Sequence, residues 1–434
     1  MRRLSAANSL WTDRAFVLFL TGRAVSLLGS AITFVALPLL VYGLTGSALQ
    51  TSLLTSLGVL PYLLFGLFAG AVADRIDRRK LMVGCDLVNA ALLASIPLAH
   101  TLDMLTLPQV YLVEFLSATA FVWFDAANFG ALPAIAGRDR LIAANSAVWT
   151  TGTLIGIIGP ALGGLLAASL GAPWAISLDA LSYAISALIL ALIPRAFSSS
   201  AKEQPATRDH PAPLSWWTST TQRLPGDIRE GLRFIWQQRL VRAMTLLGVS
   251  VSFTGGALTG LLVVYAIRAL ELPEQDSRIG VLFTTGALGS LAASLLLPRI
   301  NKRFQAGTIT LVGLMLNPLF MAGVALAPSF VVGAVLYLCW NAIYTLIIIN
   351  GISLRQMVTP DHLQSRVNAT ARMIAWGGAP FGAAVGGVLA ELTTIRATYL
   401  VMAVVVAISA LIGWFSPLRA RKGAHPGPLE SRST

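Results

Sequence analysis

Apolar stretches of about 20 residues or more recur along the chain, and each is long enough to cross a ~30 Å hydrocarbon layer as a helix. Short charged clusters separate these stretches. Of the 434 residues, 56% are hydrophobic and only 12% are charged, which is too little charge to cover a soluble protein of this size. The alternating ten-residue segments that are typical of a β-barrel are absent. The sequence therefore predicts an all-α membrane protein.

Twelve transmembrane helices are predicted from the apolar stretches. Their ranges are 16–42, 52–72, 81–101, 106–128, 142–167, 172–194, 243–268, 279–298, 306–327, 330–351, 367–389 and 396–416. A polar segment rich in serine, proline and arginine separates the first six spans from the last six. The predicted organisation is a six-helix bundle at 1–194, a linker at 195–242, a second six-helix bundle at 243–418 and a tail at 419–434.

The end of the linker, from Asp227 to Gln238, has the pattern of an amphipathic helix on the cytoplasmic surface. Its apolar residues are expected near lipid, and its basic residues near the headgroups. The apolar set is Leu232, Phe234, Ile235 and Trp236, and the basic set is Arg229, Arg233 and Arg239.

The basic residues are distributed unevenly between the two sets of loops. Most lie on the side of the N-terminus and the linker, whereas the opposite loops carry only Arg268, Arg278 and Arg396. Because cytoplasmic loops carry an excess of lysine and arginine, both termini are expected on the cytoplasmic side of a bacterial cell membrane. The same bias explains the net charge of +12, so we expect no nucleic-acid partner.

Signatures of an enzyme or an ATP-driven pump are absent from the sequence. There is no Gly-x-x-x-x-Gly-Lys-Ser/Thr loop, no His-Glu-x-x-His pair and no Gly-x-Ser-x-Gly elbow. The two cysteines, Cys85 and Cys339, lie far apart in sequence and have no metal-ligand spacing. We therefore expect no enzymatic activity, no cofactor and no metal site.

The two halves of the chain match each other at an offset of 223 residues. The matching pairs are Asn145 with Asn368, Gly159 with Gly382, Gly163-Gly164 with Gly386-Gly387, and Gly66 with Gly289. Glycine is common in spans, so the signal is the shared offset rather than any single match. An even number of spans separates the repeats, so they share one topology, which predicts a substrate site between the halves near the midplane.

The loop after the second span contains a spaced set of glycine, acidic and basic residues. The set is Gly70, Asp74, Arg75, Arg78 and Arg79. Glycine allows two helices to approach closely, and the aspartate can accept hydrogen bonds from helix N-terminal amides or pair with an arginine. A generic basic loop has no need of Gly and Asp at this spacing. We therefore expect a charge latch that holds one conformation shut on the cytoplasmic side.

This loop resembles the signature of the major facilitator superfamily, Gly-x-x-x-Asp-Arg-x-Gly-Arg-Arg/Lys. It differs at Asp77, where the family usually has glycine. The form of the loop, together with residues 44–48, 354–360 and 366–369, is similar to the branch that contains enterobactin exporters and macrolide efflux proteins. The resemblance covers nearly the whole chain, and it implies the two-bundle facilitator fold and secondary active transport.

The fifth span contains Gly159, Pro160, Gly163 and Gly164. Proline removes a helix hydrogen bond, and the glycines permit close packing. The pattern resembles the Gly-Pro-x-x-Gly-Gly element of exporters and antiporters in the superfamily, which implies export. Helix packing by small residues alone also explains it.

Charged side chains inside spans are costly, so each is a candidate functional residue. Glu114, Ser117, Phe121 and Asp125 lie on one face of the fourth span, which indicates a cavity lining. Glu114, and after it Asp179 and Asp125, are the proton-coupling candidates, because burial favours the neutral form of a carboxyl group. The alternative is that these acids form salt bridges or lie at interfaces.

Four residues are predicted to line the cavity: Arg23, Phe121, Asn341 and Tyr344. The polar groups of Asn341 and Tyr344 could equally form interhelical hydrogen bonds.

The function expected from these features is proton-driven efflux of a small organic molecule such as a drug, an antibiotic or a siderophore. Its partners would be that substrate, protons and the lipid bilayer, and the protein would be a monomer. Two alternatives remain at this point. One is a proton-coupled importer of the same fold, and the other is a membrane sensor or assembly factor that does not transport.

Overall fold

The computed structural model describes residues 10–73, 76–194, 197, 226, 229–360 and 363–416. Within these residues, twelve helices are long and apolar enough to cross a membrane. The prediction of an all-α protein with twelve spans is therefore confirmed. Asp74, Arg75, most of the 195–242 linker and the tail at 419–434 lie outside the described residues.

The first half consists of six long helices in chain order. They are α1 (Arg14–Thr45), α2 (Ala48–Ala73), α3 (Arg78–Thr101), α4 (Leu107–Ala136), α5 (Leu141–Leu170) and α6 (Ala172–Leu192). Helix α1 begins at an N-cap, where Asp13 Oδ1 accepts a hydrogen bond from the Ala15 amide at 3.2 Å. It ends at Gly46, whose φ of 63° is a left-handed conformation that glycine adopts without steric cost.

The second half contains eight helices that form the other six spans. They are α7 (Arg239–Gly260), α8 (Leu262–Arg268), α9 (Arg278–Arg303), α10 (Ala306–Ala325), α11 (Phe330–Val358), α12 (Gln364–Trp376), α13 (Gly378–Leu392) and α14 (Ile395–Trp414). Helices α7 and α8 follow each other in the seventh span, and α12 and α13 in the eleventh. The eleventh span is apolar enough to cross a bilayer over Thr370–Leu392, although Arg372 lies within it.

The internal repeat is visible in how the glycines pack. A Cβ on Gly163 would lie 2.9 Å from the Ile32 Cα of α1, and a Cβ on the matching Gly386 would lie 2.8 Å from the Ala257 Cβ of α7. Helices α1 and α7 are the first spans of their halves. The matched glycines therefore make equivalent contacts within each bundle, as a repeat with one topology requires.

The two halves also contact each other in an equivalent way. Gly164 of α5 lies against Gly280 of α9, where an added Cβ would be 2.7 Å from the Gly280 Cα. In the other half, the matching Gly387 of α13 lies against Leu49 of α2, with 2.9 Å between such a Cβ and the Leu49 Cα. Both contacts bring backbones together, so no larger residue fits there without moving a helix.

Hydrogen bonds between the halves are found away from the linker. We call the membrane side of residues 195–242 the linker side and the opposite side the far side. At the far side the Ala48 amide donates to Glu391 Oε2 at 2.9 Å, and Arg268 Nη2 donates to the Gly46 carbonyl at 2.5 Å. Closer to the middle of the helices, Thr284 Oγ1 donates to the Ile157 carbonyl at 2.8 Å. The far side is thus held together by direct contacts between the halves.

The described end of the linker, residues 229–237, is helical. Leu232 and Trp236 are exposed, but Ile235 is fully buried. It packs in a cluster with Val241 of α7 and with Val367 of α12. The expectation that Ile235 lies near lipid is therefore wrong, because this side chain fastens the linker to the second bundle.

Candidate functional site

A cavity of about 340 Å³ lies between the halves at mid-height in the helices. Most of its wall comes from α1, α2, α4 and α6 of the first half, and the second half contributes Thr259 and Phe283. The polar lining residues are Ser30, Thr33, Thr55, Tyr62, Glu114, Ser117, Asp179, Tyr183 and Thr259. Phe34 and Phe283 meet edge to face across the halves with ring centroids 5.3 Å apart. The cavity therefore combines aromatic walls with two carboxyl groups, as sites for small organic ligands often do.

Glu114 of α4 faces this cavity. Gly58 of α2 makes room for it, since a Cβ on that glycine would be 2.5 Å from Glu114 Oε1. Glu114 forms no hydrogen bond or ion pair with any other described residue. An ionised carboxylate without a partner is unfavourable in apolar surroundings, so this group is suited to take up a proton or to bind a cationic ligand.

Asp179 of α6 is the second carboxyl group of the cavity, and only 1% of the residue is exposed. Its Oδ1 accepts a hydrogen bond from Ser182 Oγ at 3.1 Å. The side chain fits because α1 has Gly29 at this level, where any added Cβ would collide with Ser182 and Asp179. Helices α1, α4 and α6 thus bring the two acids to one cavity from sequence positions far apart.

Asp125 lies further along the same face of α4 and has different surroundings. Tyr62 Oη donates to Asp125 Oδ2 at 3.1 Å, and Arg23 Nη2 lies 3.7 Å from Asp125 Oδ1. The Arg23 guanidinium also lies over the rings of Phe121 and Phe124, at 5.5 and 4.9 Å from their centroids. This cluster joins α1, α2 and α4, so Asp125 is the one candidate acid with an ion-pair partner among the described residues. Of the cluster, Tyr62 and Phe121 line the central cavity, and Arg23 and Asp125 do not.

An Arg23→Gln variant is expected to unfold more easily than an Asp125→Asn variant. The Arg23 side chain is 11% exposed and stacked on two rings, whereas the Asp125 side chain is 45% exposed and can be hydrated when its partner is lost. We expect a loss of about 1–3 kcal/mol for Arg23→Gln and less than about 1 kcal/mol for Asp125→Asn. Thermal unfolding in detergent measures both, with the exposed Arg303→Gln as control, and equal losses in the two variants would contradict this arrangement.

Asn341 and Tyr344 of α11 line neither the central cavity nor the second cavity described below. Asn341 Nδ2 donates to the Tyr337 carbonyl one turn earlier at 3.0 Å. The Tyr344 ring stacks on Trp340 with centroids 5.2 Å apart, and a Cβ on Gly255 would be 2.7 Å from Tyr344 Cε2. In this conformation the Asn341 hydrogen bond lies within α11, and the Tyr344 ring packs against α7, so these contacts are neither the predicted cavity lining nor the interhelical hydrogen bonds that were the alternative.

The loop between α2 and α3 is described up to Ala73 and again from Ile76, so Asp74 and Arg75 lie outside the described residues. Arg78 Nη1 donates to the Gly130 carbonyl of α4 at 3.0 Å, so the loop is anchored to the fourth span. Asp77 caps α3, because its Oδ1 accepts hydrogen bonds from the amides of Arg79 and Lys80 at 2.9 and 3.3 Å. With a φ of −58° this position does not need a glycine.

Gly70 does not make the close helix contact expected of it in this conformation. It is exposed, and an added Cβ would meet no described atom within 4 Å. The close approaches are made instead by α5. A Cβ on Gly159 would collide with Ala31 of α1, and a Cβ on Gly280 would collide with the Pro160 carbonyl.

A second cavity of about 490 Å³ opens on the linker side of the second half. Helices α7, α10, α11 and α12 form its wall, and Trp149 of α5 lies across from them. Two of its lining residues, Arg355 and Arg372, were not among the predicted site residues. An arginine within a predicted span was the available signal for Arg372.

No group of three or more His, Cys, Asp and Glu residues in the described ranges could hold a metal ion.

Comparison with known proteins gives consistent matches over nearly the whole chain. A family model described as Major Facilitator Superfamily matches residues 19–377. The chain is 25% identical over 401 residues to the multidrug efflux pump Tap of Mycolicibacterium fortuitum, covering 90% of this chain and 92% of that protein. It is 24% identical over 394 residues to the enterobactin exporter EntS of Salmonella typhi, covering 89% and 88%. Among solved structures, the nucleoside transporter NupG superposes with a TM-score of 0.70 at 13% identity, covering 92% and 98%.

Proposed function

The chain belongs to the major facilitator superfamily, and we propose that it exports a small organic molecule in exchange for protons. Proteins of this family are transporters rather than enzymes. The halves would rock about the central cavity and expose it alternately to the linker side and to the far side. Both termini would be cytoplasmic and the protein would be a monomer in a bacterial cell membrane, as the charge of the loops favours.

The observation that carries this proposal is the placement of Glu114 and Asp179 in a cavity between the halves. Each carboxyl group is better tolerated there when it is neutralised. A proton arriving from the far side and an organic substrate arriving from the linker side would compete for these groups. Exchange of one for the other as the halves rock would couple the two movements.

The membrane potential supplies enough energy to drive such a cycle. One elementary charge that crosses 100 mV yields about 2.3 kcal/mol, which changes an equilibrium by roughly fiftyfold. For an uncharged substrate, a single carboxyl group that carries one proton per cycle is therefore sufficient to bias the direction of transport, whereas exchange of one proton for a monovalent cation would move no net charge and would depend on the pH gradient alone.

The substrate class is inferred from the lining and from the named relatives. The cavity has aromatic side chains on both sides of the boundary between the halves, together with hydroxyl and carboxyl groups. Such a lining suits a compact, partly apolar organic molecule. The relatives whose names state a function are a multidrug efflux pump and an enterobactin exporter, which supports a drug, an antibiotic or a siderophore as the cargo.

The test is expression in a bacterial host that lacks its own efflux systems, followed by exposure to a panel of toxic compounds. We expect resistance to at least one organic compound and its energy-dependent extrusion from preloaded cells. A host with the empty vector controls for background. Increased sensitivity and net uptake of the same compound would contradict export.

A further inference from the structure

The second cavity, on the linker side of the second half, differs chemically from the central one. Its walls are largely apolar, with Met244, Leu247, Val251, Leu314, Ile347 and Ile348 among the lining residues. Its charged lining residues are Arg355 and Arg372, and no described aspartate or glutamate lines it. A cavity of about 490 Å³ with this lining has room for a drug-sized molecule.

Both guanidinium groups have N–H donors that make no hydrogen bond with the described residues. Arg355 is 7% exposed, and its Nε donates to Asn368 Oδ1 at 3.0 Å. Its two Nη atoms make no hydrogen bond with any described residue. The Arg372 guanidinium lies over the Trp376 ring, 4.7 Å from its centroid, and it makes no ion pair within the described chain. Arg355 at the end of α11 and Arg372 of α12 both line this cavity.

Arg355 is buried without a carboxylate partner among the described residues, which is unfavourable for a cation, whereas Arg372 is exposed. The fold itself does not require this arrangement. At the offset of 223 residues, the positions of Arg355 and Arg372 correspond to Leu132 and Trp149 in the first half. The equivalent bundle therefore forms with apolar residues at both places, so the fold does not require an arginine at either position.

We propose that this cavity binds an organic anion, with its acidic group between Arg355 and Arg372 and its apolar body against α7, α10 and α11. Guanidinium groups bind carboxylate, sulfonate and phosphate oxygens through short charge-assisted hydrogen bonds. Asn368 orients Arg355 from one side, and the Trp376 ring supports Arg372. The site is distinct from the acid-bearing central cavity, and its existence does not depend on the direction of transport.

The anion could be a soluble aromatic acid from the linker-side water or the headgroup of an anionic lipid. The experiment uses the full-length protein in nanodiscs of phosphatidylcholine and measures the binding of naphthalene-2-sulfonate by calorimetry. Naphthalene-2-sulfonamide has the same ring system without the charge. We expect the sulfonate to bind at least about tenfold more tightly than the sulfonamide, as one charge-assisted hydrogen bond requires.

Substitutions in the protein test whether the sulfonate binds in this cavity. Arg355→Gln and Arg372→Gln should each weaken sulfonate binding at least about tenfold. Arg372→Lys should weaken it less than Arg372→Gln, because lysine keeps the charge but loses the planar set of donors, and Arg303→Gln should leave it unchanged. Nanodiscs that also contain phosphatidylglycerol distinguish a soluble acid from an anionic lipid headgroup as the bound anion. Competition there identifies the lipid as a ligand of the same site, and unchanged binding identifies the soluble acid. Sulfonate affinity that is the same in Arg372→Gln and wild-type protein, or no binding to the wild-type protein, would overturn the proposal.

Discussion

A Glu114→Gln variant is expected to lose most of its coupling between substrate and proton movement. Glutamine has nearly the same size and fills the space beside Gly58, but it cannot release or accept a proton. In proteoliposomes with a pH-sensitive dye, substrate-dependent proton flux should fall at least about tenfold. Binding of the substrate should be less affected if the substrate is neutral, because the remaining cavity wall is unchanged.

The matched control is Glu274→Gln, since Glu274 is an exposed glutamate in the far-side loop between α8 and α9. It should leave the proton flux at the wild-type level. Asp179→Asn tests the second carboxyl group of the same cavity. Unchanged proton flux in Glu114→Gln together with its loss in Asp179→Asn would remove Glu114 from the mechanism and leave Asp179 as the proton carrier.

A Gly164→Leu variant is expected to transport poorly although it folds. A Cβ at this position would be 2.7 Å from both the Cα and the amide nitrogen of Gly280, and backbone atoms cannot rotate away. The two halves would be forced apart on the far side, which disfavours the conformation described here. An overpacking penalty of about 1–3 kcal/mol on one of two states shifts their equilibrium by roughly 5–150-fold, and transport should fall accordingly.

Helix α5 offers its own control for this experiment. A Cβ on Gly156, eight residues earlier in the same helix, would meet no described atom within 4 Å. Gly156→Leu adds the same side chain at a position where its Cβ meets no described atom, so it should transport at close to the wild-type rate. Distances between spin labels across the far side should lengthen in Gly164→Leu alone. Wild-type transport in Gly164→Leu would show that this contact is not part of the cycle.

Periodicity in the sequence was sufficient to place the spans and to identify the faces of single helices. Glu114, Ser117 and Phe121 were expected on one face of α4, and all three line the central cavity. Their partners were harder to foresee. That Gly58 lies opposite Glu114, or that Gly29 makes room for Asp179, depends on which helices become neighbours, and spacing along one helix contains no such information.

The same reason explains why some predicted side-chain surroundings differ from those in the structure. Asn341 and Tyr344 have the right depth in α11, but the rotation of that helix turns Asn341 toward Gly286 of α9 and Tyr344 toward Gly255 of α7. Ile235 belongs to an amphipathic pattern, yet the pattern does not say whether protein or lipid covers the apolar face. Arg355 and Arg372 line one cavity because α11 and α12 meet at the linker side, which their separation in sequence does not reveal.

In the proposed cycle, substrate and protons cross in opposite directions through one protein. The most direct test is purified protein in sealed liposomes, with a pH gradient imposed and a compound from the resistance panel supplied on both sides. We expect the compound to accumulate on the more acidic side, against its own gradient, as protons leave that side. Dissipating the pH gradient should abolish this accumulation. Accumulation on the more alkaline side, in the direction of proton movement, would contradict the proposed cycle.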